Sequence, residues 1–111
     1  MARPAGLDRT PARHEMPAID AAAMTAARWA DRLLAAAGER HLERWEAFLA
    51  PVPDRLRDGE LRDLRSVALR ARAAYGAKDS IRDALPDDLV EPFRDALDAL
   101  LKALARQQTD G

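Results

Sequence analysis

The sequence predicts an all-α fold, a small helical bundle, on three observations. Ala, Leu, Arg, Asp and Glu dominate the 111 residues, and most of these are good helix formers. β-branched and aromatic residues are scarce, which argues against a sheet. Apolar residues recur at intervals of three and four, the period of one helical face.

The clearest segment lies near the C-terminus, at about residues 88–106. Leu89, Val90, Phe93, Leu97, Leu100, Leu101 and Leu104 fall within one arc of about 120°, the width of a core-facing stripe. Glu91, Asp95 and Asp98 share another side. Arg94–Asp98 and Asp98–Lys102 are candidate i,i+4 pairs. Acids lead the segment and Lys102 and Arg106 follow, which suits the helix macrodipole. Pro92 fits only in a first turn, where its missing N–H costs little, so the regular helix is expected to start between Asp88 and Glu91.

Two other main helices are expected. The first, at about residues 18–37, carries Ile19, Ala22, Ala26, Trp29, Ala30, Leu33 and Ala37 on one face, with Arg28, Asp31 and Arg32 opposite. Gly38 suits the left-handed residue that closes it. The second, at about residues 59–75, uses Leu61, Leu64, Ala68, Ala71 and Tyr75, and Gly76 closes it. Two short helices complete the set. One spans about residues 39–49 and ends at Pro51 and Pro53, with at most a single turn at Asp54 to Arg57. The other spans about residues 79–85 and stops at Pro86.

The chain has room for one domain, expected at residues 18–107. Met1 to Pro17 holds four prolines or glycines and almost no large apolar residue, so it reads as a flexible arm. Only Arg3, Arg9 and Arg13 speak for a partner-binding role there. Residues 108–111 read as a frayed polar tail.

Composition excludes several functions. With no Cys there is no disulfide framework and no thiolate metal site. Net charge is −1, so there is no global case for nucleic acid or an anionic membrane. No apolar run reaches the ~18 residues of a membrane span, and no signal peptide is legible. A cytoplasmic protein is expected. The excess of Ala and Arg suggests GC-rich bacterial coding. No cofactor, metal site or small-molecule ligand is indicated.

Four features bear on function. First, Arg55, Arg57, Arg62, Arg65, Arg70 and Arg72 cluster around the third helical segment, while seven acids lie between Asp79 and Asp98. Arg65 and Arg72 are expected to meet Glu91, Asp95 or Asp98 across a helix–helix groove, rim pairs worth roughly 0–1 kcal/mol each. The alternative is phosphate binding by Arg62, Arg65, Arg70 and Arg72; interleaved acids and the lack of an aromatic platform disfavour it. Second, Asp79-Ser80-Ile81 is similar to the Asp-Ser-Leu motif of acyl carrier proteins, which would make Ser80 a phosphopantetheine attachment site. Pro86 cuts the helix that should follow, and the same residues read as an ordinary Asp/Ser N-cap, the reading preferred here. Third, His41 lies among Glu39, Glu43 and Glu46, but neither a Glu-x-x-His nor a His-Glu-x-x-His motif is present. With Trp45 it is the candidate for a ligand pocket or small enzyme site. Fourth, Trp29, Trp45, Phe48, Tyr75 and Phe93 are expected to fill the core.

The favoured expectation is a non-enzymatic protein-interaction module, an adaptor, regulator or accessory subunit. Its partner is another protein or a second copy. Leu97, Leu101 and Leu104, with Glu91, Asp95 and Asp98 beside them, are the candidate contact residues, because so Ala-rich a domain has little large apolar surface to bury.

Overall fold

The computed structural model describes residues 12–76 and 79–110. It is all-helical there, with no strand among the described residues. Six α-helices follow in order: α1 (Pro17–Glu39), α2 (Glu43–Leu49), α3 (Val52–Asp58), α4 (Leu61–Arg72), α5 (Ile81–Ala84) and α6 (Asp87–Asp110). Single 3₁₀ turns precede α1 (Arg13–Glu15) and follow α4 (Ala73–Tyr75). The three main helices are those expected; three short ones replace the expected two.

The largest helix–helix interface joins α1 to α6. On α1 it is lined by alanines: Ala23, Ala26, Ala27, Ala30, Ala36 and Ala37 are all buried, with Ile19 and Leu33 as the only large members. Side chains this small let a neighbouring helix come close. α6 supplies the bulk in return, through Val90, Phe93, Leu97, Leu100 and Leu104. α3 and α2 also pack on α1, and α4 packs on α6. The expected polar face of α1, Arg28, Asp31 and Arg32, is exposed.

The two prolines expected to end one helix also begin the next. Pro51 is the N-cap of α3 and Pro53 lies in its first turn. A proline there loses nothing, because the first four N–H groups of a helix have no partner within it. A full seven-residue helix stands where one turn was expected. Pro92 departs from expectation in the other direction. α6 starts at Asp87, where the Pro86 carbonyl accepts from the N–H of both Leu89 and Val90, each at 3.0 Å, and it passes through Pro92. The cost is one lost bond to the Asp88 carbonyl. At the other end α6 runs on to Asp110, where a frayed tail was expected.

Closure of α1 is also corrected. Gly38 lies inside the helix and no glycine among the described residues has positive φ. The left-handed residue is His41, at φ 56°. The His41 N–H donates to the Gly38 carbonyl at 3.1 Å, and the Leu42 N–H reaches back to Ala37 at 2.9 Å. This is a Schellman closure with histidine in the place usually taken by glycine. Histidine tolerates positive φ better than most side chains. Gly76 is likewise extended rather than left-handed, with φ −64°.

The expected arm was Met1–Pro17. Residues 1–11, Arg3 and Arg9 among them, lie outside the described residues. Residues 12–17 do not behave as an arm. Arg13 has a side chain only 12% exposed. Its guanidinium donates to the Leu56 carbonyl at 2.8 Å, to the Gly59 carbonyl at 2.9 Å and to Asp20 at 2.9 Å. Leu56 is in the last turn of α3, where carbonyls lack intrahelical partners, so Arg13 is a cationic C-cap supplied from elsewhere in the chain. Gly59 permits the turn beside it: a Cβ there would overlap the Arg55 carbonyl oxygen.

Arg13→Ala removes these bonds together and leaves two carbonyls short of a donor. A loss of about 1.5–3 kcal/mol in urea-induced unfolding is expected. A loss within error of zero would show that the turn before α1 is not part of the folded unit.

Candidate functional site

α2 packs on α1 and α3, whereas α4 packs on α3 and α6. Between α2 and the C-terminal end of α4 a groove of about 390 Å³ remains. It is lined by Arg44, Trp45 and Phe48 from α2, Arg70 from α4, Ala73 and Ala74 from the turn that follows, and Gly76 and Asp79 at the loop.

Trp45 and Phe48 meet edge to face, with centroids 5.7 Å apart at 82°. Such a pair adds about 0.5–1.5 kcal/mol beyond area burial. Each ring carries an arginine. The Arg44 guanidinium carbon lies 4.9 Å from the Trp45 centroid, and that of Arg70 lies 5.8 Å from the Phe48 centroid. Both arginines are exposed residues, and neither has a carboxylate partner among the described residues. A guanidinium over a ring gains cation–π attraction, and its N–H donors, with no carboxylate partner, are open to a carboxylate or phosphate. The groove therefore combines an apolar lining with two exposed cations and the Asp79 carboxylate.

The sequence-predicted residues are distributed as follows. Trp45 lines the groove. His41 does not; it is exposed in the turn after α1. The four candidate phosphate-binding arginines are not brought together. Arg62 pairs with Glu60 at 3.2 Å. Arg72 pairs with Asp98 at 2.8 Å and lies 5.3 Å from the Tyr75 centroid. Arg65 is exposed on α4, and only Arg70 reaches the groove. The expected contact between the arginines of α4 and the acids of α6 is thus made by Arg72 and Asp98. Glu91 turns instead to Arg82 at 3.2 Å and Arg94 at 2.8 Å, and Arg94 also approaches Asp95 at 3.6 Å. Leu97 and Leu104 are buried in the core of this chain, Leu101 is half-buried, and Asp95 and Asp98 are exposed. Ser80 is 5% exposed and caps α5, accepting from the Arg82 N–H at 3.0 Å.

The expected aromatic core is corrected too. Only Phe93 is fully buried and Trp45 nearly so. Trp29, Phe48 and Tyr75 stand at the margin, and Arg32 covers Trp29 at 4.6 Å.

Arg44 was not legible as a site residue, while Phe48 read as core and Asp79 as part of an N-cap. Arg44 and Phe48 are one helical turn apart, which puts them on one face of α2, but nothing local shows that Arg70 lies across from them. Among the described residues, no group of three or more His, Cys, Asp or Glu is placed to hold a metal ion, and no helix is long and apolar enough to cross a membrane. No protein-family model, curated protein or solved structure matches the chain.

Tyr75 gives a direct probe of this side of the bundle. Its hydroxyl donates to the Val90 carbonyl at 2.6 Å. Burial pushes its pKa well above the ordinary value, and the nearby Glu91 charge adds to this against the opposing charges of Arg72 and Arg94. The fold therefore favours the neutral phenol. Its stabilising contribution is complete below about pH 10, the ordinary tyrosine pKa, and is lost as pH rises beyond it. Tyr75 is the only tyrosine, so alkaline absorbance titration reads it alone. Ionisation is expected to appear well above the ordinary midpoint or together with unfolding. Titration of the folded protein at the ordinary value would contradict the buried hydrogen bond.

Proposed function

We propose that the protein is a protein-interaction module, an adaptor, regulator or accessory subunit that presents helix surfaces to a partner. The groove between α2 and α4 carries this reading: two arginines without carboxylate partners lie over rings beside an apolar lining. Leu69, the exposed large hydrophobic of the described surface at 47%, is the chain neighbour of Arg70. Arginine and aromatic residues in one patch are the composition enriched at the centres of protein interfaces. The charge-rich, cysteine-free composition supports a place in the cytoplasm, and the excess of Ala and Arg supports a bacterial source.

Leu97 and Leu104 do not strengthen the homodimer version, because both are already buried within one chain. Asp95 and Asp98 are exposed on α6 as a second candidate contact surface, with Asp98 paired to Arg72 and Asp95 3.6 Å from Arg94. Affinity capture of the tagged protein from its source organism after mild crosslinking tests the reading. One reproducible partner, retained in near-stoichiometric amount, is the expected result. Recovery of the protein alone, and as a monomer at every concentration tried, would count against it.

A further inference from the structure

Three of the six arginines on α3 and α4 have a carboxylate at hand. Arg57 has Asp31 and Asp54, Arg62 has Glu60, and Arg72 has Asp98. Arg44 and Arg70 instead lie over aromatic rings, and both line the groove together with Phe48, Ala73 and Ala74. Two cations without carboxylate partners beside an apolar lining are complementary to a chain segment with the reverse pattern. We infer that the groove docks an acidic linear segment of a partner protein, with carboxylates on Arg44 and Arg70 and an apolar side chain against the apolar lining. The inference rests on the interaction-module reading and adds the chemistry of the partner.

Charge decides among the possible occupants. A nucleic-acid strand is bound by a row of cations along its phosphates. Here the Asp79 carboxylate lines the same groove as the two arginines, and the whole chain carries a net charge of −1. That balance suits one or two carboxylates rather than a polyanion. A second copy of this chain is also a poor occupant. Its α6 acids Asp95 and Asp98 already lie beside Arg94 at 3.6 Å and Arg72 at 2.8 Å, and α6 does not line the groove, so a contact through them would be head-to-tail and would not close into a dimer. An acidic segment of another protein satisfies both arginines without either difficulty. Arginine suits this task because its planar fork binds carboxylate through two parallel hydrogen bonds.

A random-peptide phage library selected on the full-length protein tests the inference. Enriched peptides are expected to combine Asp or Glu with a large apolar residue. The strongest of them, labelled and followed by fluorescence anisotropy, should bind more weakly as salt rises. The double variant Arg44→Glu, Arg70→Glu should weaken it about tenfold or more, while Arg62→Glu, outside the groove, leaves it unchanged; circular dichroism confirms that both variants are folded. The inference is overturned by enrichment of peptides without acids, by no enrichment, by preferential binding of a single-stranded oligonucleotide, or by equal affinity of the double variant. A cellular partner captured equally by wild type and double variant would leave the interaction-module reading intact and remove the groove from it.

Discussion

Everything in this bundle is arranged around the contact between α1 and α6. Its α1 side is a strip of buried alanines. Alanine is the best helix former and loses no side-chain entropy on burial, so a long helix lined with it forms readily and admits a close neighbour. It also contributes little apolar area. The bulk must come from the other side, where Phe93, Leu97 and Leu100 are fully buried. Among the aromatic residues only Phe93 and Trp45 are buried in the core. Trp29, Phe48 and Tyr75 sit at the rim, and arginines lie over all three.

Short helices of seven residues are marginal alone, since nucleation costs more than a few hydrogen bonds return. α2 and α3 persist because each is fixed at its ends and packed along one side. The Schellman closure at His41 turns the chain so that Trp45 and Leu49 face α1. Arg13 then ties the last turn of α3 to the start of α1. The groove between α2 and α4 is a consequence of this layout. α2 is held against α1 and α4 against α6, so the space between them opens where Phe48 and Ala73 approach.

The sequence made the main helices legible because their apolar faces are long and periodic. The α6 stripe, the exposed side of α1 and the stop at Pro86 are all as read. What escaped were features whose partners are distant in sequence. Arg13 looks like one charge in a proline-containing leader, yet it acts on carbonyls more than forty residues away. Pro51 and Pro53 carry the same local signal whether they end a helix or begin one. Gly38 is the better left-handed residue by itself, but ending α1 there would stop it before Glu39, and the chain reverses three residues later at His41. The groove was half legible: Trp45 was in view, but Arg44 and Phe48 gain meaning only when α4 brings Arg70 opposite.

The bundle divides its aromatic residues between those that support the fold and those left for the surface. Comparing the urea-unfolding free energies of Phe93→Ala and Phe48→Ala tests this most directly. Phe93 is fully buried, so its truncation should cost about 3–5 kcal/mol or abolish folding. Phe48 lies half-buried at the groove, and its truncation should cost about 1–2 kcal/mol with the fold retained. Equal large losses would mean that Phe48 belongs to the core, and that the groove beside it is a packing defect rather than a surface kept open for a partner.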